Sequence, residues 1–179
     1  AGSKCLFFPL FQGGLHPALR KRSAEHHNAS PADGISIGGF MVGEDKATTW
    51  SMLTETTALL REERPRYLMG VGTPQDIAHA VAAGVDLFDC VLPTRNARNG
   101  QLFTSQGKLV ISNAKHRLDE SAVDPECPCE TCRRVSRAYL RHLFVAREIL
   151  YMRLATLHNV TYYQTHVRRL RADIVAAAR

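Results

Sequence analysis

Four short apolar runs, separated by stretches of helical pattern, constrain this chain more than any other feature. They cover residues 5–11, 34–42, 66–71 and 84–92. Each is too short for a buried helix, is rich in β-branched or aromatic residues and is flanked by Gly or Pro, so each is expected to be a buried strand. Between them lie helical patterns from 17 to about 28, from 46 to about 62 and from 74 to 83. In the second, Trp50, Leu53, Ala58 and Leu59 fall on helical spacing. In the third, Thr73 is placed as N-cap, Pro74 as the first helical residue and Asp76 in the first turn, and Gly84 ends the helix. Strand and helix alternating over about 90 residues predict an α/β chain with a parallel sheet. No Gly-x-Gly-x-x-Gly follows the first strand, which disfavours a dinucleotide-binding fold.

The strand ends carry the second signal. Gln12-Gly13-Gly14 follows the first run, Gly38-Gly39 closes the second, Met69-Gly70-Val71-Gly72 the third and Asp89-Cys90 the fourth. In a (β/α) barrel the C-terminal strand ends build the active-site face. Beyond residue 92 the pattern changes. Residues 101–104 and 108–112 flank a Ser105-Gln106-Gly107 turn and predict a β-hairpin. A turn-rich stretch follows, and two long helices, about 134–158 and 162–178, are expected to finish the chain. The domain division implied is 1–99 and 100–179.

Cys127, Cys129 and Cys132 place three thiols within six residues. Zn²⁺ takes four soft or borderline ligands in a tetrahedron, and a closed Cys₃His set is structural, with no position left for water. His158, 26 residues beyond Cys132, is the expected fourth ligand; His142 and His166 are its rivals. The alternative is a group of reduced buried thiols. An odd count of five cysteines, three of them clustered, argues against a secreted disulfide framework and for a reducing compartment, so a cytoplasmic location is expected.

The 179 residues are 45% hydrophobic and 22% charged, as in ordinary globular proteins, and no apolar run approaches the ~20 residues of a membrane span. The net charge of +6 suits a polyanionic partner. Ala1-Gly2-Ser3-Lys4 shows no signal-peptide pattern and leads at once into a core strand, so further sequence is expected upstream.

Several stretches, in this order, resemble the tRNA-guanine transglycosylases, or queuine tRNA-ribosyltransferases. They are Phe11-Gln12-Gly13-Gly14, the run from Gly38 to Glu44, the run from Arg66 to Gly72, the run from Asp86 to Gly100, and the Cys-x-Cys-x-x-Cys with its distant histidine. The resemblance covers nearly the whole chain. It implies the C-terminal half of a (β/α)₈ barrel, about strands five to eight, with a zinc-binding subdomain and C-terminal helices. The family's first half, which carries a general-acid/base aspartate and a guanine-binding aspartate, has no counterpart here. The implied activity replaces the wobble guanine in a tRNA anticodon loop. The bacterial type, which Val42-Gly43-Glu44 and Asn96 to Gly100 resemble, inserts 7-aminomethyl-7-deazaguanine on the route to queuosine. The intact enzyme is expected to be a homodimer.

The resemblance also assigns roles. Asp89 is the nucleophile that forms a covalent ribosyl ester, whereas Asp86, three residues earlier, is left as a surface or capping acid. Gln12, Gly39, Phe40, Glu44 and Met69 bind the base: Gln12 and the Gly39–Phe40 backbone read it, Glu44 orients that peptide or balances the aminomethyl cation, and Met69 stacks. Phe40 and Met41 depart from the commoner leucine and alanine. Arg95 and Arg98, in the loop after the last strand, suit tRNA phosphates. Thr73 stands where a lysine is often found. The competing expectation is a zinc-stabilised tRNA-binding or partner subunit, inactive without an N-terminal half.

Overall fold

The computed structural model describes residues 5–40, 43 and 45–178. Two compact units divide it, residues 1–90 and 91–179. The first holds β1 (Leu10–Phe11), α1 (Pro17–Ala29), β2 (Ile35–Ile37), α2 (Lys46–Leu59), β3 (Arg66–Leu68), α3 (Pro74–Ala82) and β4 (Leu87–Phe88). The strands form a parallel sheet in the order β1-β2-β3-β4, so each predicted run supplies one strand and the chain is α/β.

The sheet has two unlike faces. Phe11, Ile37, Leu68 and Phe88 stand in register across it. They pack with Ala24 of α1, Met52 and Leu53 of α2 and Ala80 of α3 in one apolar core. The opposite face carries the row Leu10, Ser36, Tyr67 and Leu87. Ser36 is buried there, but Leu10 and Leu87, at the two edges, are 49% and 47% exposed. One face is therefore sealed by helices and the other is open.

The caps explain where the helices start. Asp45 accepts a hydrogen bond from the Thr48 N–H at 3.0 Å and starts α2. Thr73 is the N-cap of α3 and Asp76 lies in its first turn, as the sequence suggested, and the two close a reciprocal capping box, with Pro74 in the first turn. Gly84, at φ 88°, turns the chain out of α3. The buried stripe of α2 differs from the expected one. Thr49, Met52, Leu53, Thr56 and Thr57 are buried, whereas Ala58 and Leu59 are exposed and Trp50 half-buried. Thr49 and Thr57 serve inside because their hydroxyls return to backbone carbonyls one turn back: Thr49 donates to Asp45 O and Thr57 to Thr54 O.

The second unit begins with α4 (Leu92–Arg98) and the antiparallel hairpin β5 (Gln101–Thr104) and β6 (Gly107–Val110). The division falls at 90/91 because α4 packs into this unit: the Tyr151 hydroxyl donates to Ala97 O at 2.8 Å. A short 3₁₀ turn, Ala114–His116, precedes α5 (Glu130–Arg134), α6 (Arg137–Val145) and α7 (Ile149–Ala177). The expected pair of long helices is thus corrected to three. Ser136 interrupts the first by capping α6 through the Tyr139 N–H. Arg147 interrupts it again with a left-handed φ of 59°. No break separates residues 158 and 162, so α7 runs for 29 residues. No helix among the described residues is long and apolar enough to cross a membrane.

Candidate active site and metal centre

Continuing the strand register by one residue brings Gln12, Gly38, Met69 and Asp89 into a row at the C-terminal ends, on the open face. The ladder supports that continuation, since Gly38 N–H donates to Phe11 O and Met69 N–H to Ile37 O. At about 4.8 Å between neighbouring strands, the row spans roughly 14 Å from Gln12 to Asp89. Gln12 and Asp89 are exposed, and Met69 is 42% exposed although its neighbour Leu68 is buried. An exposed methionine at a strand end is not core packing.

Asp89 is held, not loose. Its Oδ1 accepts from the Tyr67 hydroxyl at 2.7 Å and from the Gly70 N–H at 2.9 Å. The Tyr67 hydrogen bond first, and the Gly70 bond second, hold its carboxyl below the ordinary aspartate value. The group is therefore ionised at neutral pH, while the same contact pushes Tyr67 up and keeps it protonated as donor. Asp86 faces away and caps the Arg66 N–H at 2.8 Å, which makes it a structural acid.

At the other end of the row the backbone approaches closely. Gly39 has φ 74°, and a Cβ there would lie 3.4 Å from Gln12 Oε1. Phe40 is buried and its ring lies flat on the Arg20 guanidinium, 3.7 Å away, so its side chain serves the wall and only its backbone is free to face a ligand. Met41, Val42 and Glu44 lie outside the described residues. Arg95 and Arg98 are exposed, on the helix α4 and not in a loop, because Pro93 sits in its first turn and the Arg95 N–H bonds Val91 O.

In the second unit the structure settles the fourth zinc ligand. The ligand atoms of Cys127, Cys129, Cys132 and His158 all lie within 4.8 Å of one another. His158 Nδ1 is 3.2 Å from Cys132 Sγ and 3.6 Å from Cys129 Sγ. His142 is exposed on α6, and His166 stacks on Tyr162 farther along α7. His158 lies inside α7, not at a helix end as the sequence suggested, and is fully buried.

The donor set fits a structural zinc. His158 Nε2 is 2.8 Å from Phe103 O, so it carries the proton, donates to that carbonyl and leaves Nδ1 as the ligand. The Cys132 N–H points at Cys129 Sγ at 3.3 Å, and hydrogen bonding from Cys132 and His158 pulls the Cys129 thiol below its ordinary value despite burial. A buried thiolate cluster needs a cation, and four protein donors leave no open position. Asn159 holds the same strand: its Oδ1 accepts from Phe103 N–H at 3.1 Å and its Nδ2 donates to Pro93 O and Gln101 O.

Three residues of this arrangement were missed in the sequence. Tyr67 could have been found, since it lies two residues before Met69 and shares its strand face. Arg20 and Asn159 gave no signal, because polar residues on helices are mostly exposed.

An α/β unit with an ionised aspartate on its open rim, joined to a Cys₃His unit, is the class defined so far. The family model described as queuine tRNA-ribosyltransferase matches residues 2–178. The chain belongs to the queuine tRNA-ribosyltransferase family. It is similar to proteins of that name from Solidesulfovibrio magneticus, 52% identical over 169 residues (94% of this chain and 45% of that protein), and from Nitrosomonas europaea, 52% identical over 174 residues (97% and 47%). A third, from Sorangium cellulosum, is 50% identical over 182 residues (97% and 46%). The chain spans about half the length of the curated relatives it matches.

Proposed function

We propose that the first unit is part of a tRNA-guanine transglycosylase site and one half of a (β/α)₈ barrel, about strands five to eight, extended by a zinc-bearing subdomain. The reading rests on Asp89, ionised and held by Tyr67 and Gly70 in one row with Gln12 and Met69 on the open rim. Four parallel strands cannot close a barrel. The exposed Leu10 and Leu87 at the two edges are what a sheet awaiting further strands presents.

In this reading the wobble guanosine leaves its stack and enters the rim. An Asp89 oxygen attacks C1′ of the ribose as the C1′–N9 bond breaks, and the departing guanine takes a proton from a general acid contributed by strands outside these residues. The incoming base, 7-aminomethyl-7-deazaguanine, then gives up its N9 proton to the same group, now deprotonated, attacks C1′ and displaces the carboxylate. Two inversions retain the configuration. Gln12 and the Gly39–Phe40 backbone read the purine, Met69 stacks on it, and the family resemblance assigns Glu44 to orienting that peptide or balancing the aminomethyl cation. Zinc, held by Cys127, Cys129, Cys132 and His158, supplies fold stability and takes no chemical step. The intact enzyme works in the cytoplasm as a homodimer.

Exchange of labelled guanine into a cognate tRNA tests this reading. The chain alone is expected to be inert, since general acid catalysis is worth ~10²–10⁴-fold and half of the purine wall is absent. Joined to the portion of the S. magneticus relative that it does not cover, it is expected to turn over. Turnover by the chain alone at the same rate would refute the half-barrel. A completed chain that binds tRNA without exchange would favour the alternative, a non-catalytic subunit.

Arg95 and Arg98, three residues apart and both exposed on α4, are assigned to phosphates of the anticodon loop. Replacing either by alanine in the completed chain is expected to weaken tRNA binding and flatten its dependence on log salt, by about 0.7–1 unit of slope per lost contact. An unchanged slope removes that arginine from the interface.

A further inference from the structure

We propose that Arg20 is a positioning residue of this site: its guanidinium fixes the peptides around Gly39 so that their N–H groups face the purine. The proposal rests on the base-exchange reading above.

Arg20 lies in the first turns of α1 and is 1% exposed. Its Nε donates to Gly14 O at 2.7 Å, and its Nη2 donates to Gly38 O at 3.1 Å and approaches Gly39 O at 3.4 Å. One planar group therefore ties the segment after β1 to the segment after β2. The Phe40 ring covers it at 3.7 Å and the Phe11 ring lies at 5.3 Å, so the fork is clamped in one plane.

The consequence is directional. In a trans peptide the C=O and the following N–H point opposite ways. Gly38 O and Gly39 O both turn toward Arg20, so the Gly39 and Phe40 N–H groups turn away from it. They form a pair of adjacent donors suited to an acceptor such as the 6-oxygen of guanine. Glycine at φ 74° imposes no such orientation by itself, because it lets the peptide flip at little cost. Arg20 removes that freedom.

A second buried arginine supplies the contrast. Arg66 donates to Gly84 O at 3.1 Å and Leu60 O at 2.8 Å, at the N-terminal ends of the strands, away from the row of Gln12, Met69 and Asp89. It closes loops and has no part in reading a base.

The test compares guanine with 2,6-diaminopurine, which carries an amino donor in place of the 6-oxygen, as bases incorporated into tRNA by the completed chain. The measured quantity is the ratio of kcat/KM for the two bases, which does not depend on the fraction of protein that folds. Arg20→Lys keeps the charge but cannot span the same carbonyls, and is expected to lower the preference for guanine about tenfold through a higher KM for guanine, with KM for tRNA unchanged. Phe40→Leu, which uncovers the guanidinium, is expected to move the ratio the same way by less. Arg66→Lys is expected to lower Tm and leave the ratio alone. An unchanged ratio in Arg20→Lys, or equal shifts in Arg20→Lys and Arg66→Lys, overturns the proposal. A wild type that exchanges no base at all overturns the base-exchange reading, and the proposal with it.

Discussion

Asp89→Asn in the completed chain is expected to abolish base exchange, with kcat falling on the order of 10⁴-fold or more, as when an enzyme loses its nucleophile. The amide keeps the size of the side chain, and its oxygen can still accept from Tyr67 and Gly70, the two donors that hold Asp89 now. Binding of tRNA should therefore change little, because the phosphate contacts lie elsewhere. The loss arises because the amide carries no negative charge to stabilise the ribosyl cation and forms no ester with C1′. A variant that loses tRNA binding in parallel with turnover would mean that Asp89 supports the fold or the interface and not the chemistry.

The second large effect is expected in the other unit. His158→Ala should leave the protein with much less than one zinc per chain and melt the packing of α5 and α7. Three thiolates remain in that variant, but the histidine also anchors the site through Phe103 O, and both links are lost together. Structural zinc contributes folding free energy directly, on the order of 10 kcal/mol in small zinc domains, so even partial loss should be visible as reduced helicity and a lower Tm. Metal analysis with circular dichroism reads both quantities. Full zinc occupancy in His158→Ala would return His142 and His166 to consideration.

The parts of this molecule legible from sequence are those set by local chemistry. The strand runs, the N-cap at Thr73 with Asp76 in the first turn, the hairpin turn and the three-cysteine loop each declare themselves within a few residues. Glycines at strand ends marked the rim because the backbone there takes conformations, such as φ 74° at Gly39, that other residues avoid. What escaped was set by distant partners. Three histidines competed for the zinc until the fold placed His158 Nδ1 3.2 Å from Cys132 Sγ, 26 residues away, and so distinguished one of them. Arg20, which nothing in the sequence singled out, is buried because three carbonyls and two rings receive it.

The helix boundaries failed for the same reason. Arg147 in a left-handed turn ends one helix where a glycine would have announced the stop. The break expected between residues 158 and 162 is absent, and Asn159 sits in mid-helix, its amide used on Phe103, Pro93 and Gln101. In α2, Leu53 is buried as its spacing suggested, but threonines fill much of the rest of the stripe, the Thr49 and Thr57 hydroxyls bonding back to backbone carbonyls.

A covalent bond from Asp89 to the ribose is the step on which the proposed base exchange depends. The completed chain, incubated with cognate tRNA in the absence of an incoming base, should be denatured, digested with ribonuclease and protease, and sequenced by mass spectrometry. A ribosyl-nucleotide mass is expected on the peptide containing Asp89, located on that residue, with no adduct in Asp89→Asn. An adduct on Asp86 or on any carboxylate outside these 179 residues, or an adduct that persists in Asp89→Asn, would contradict it.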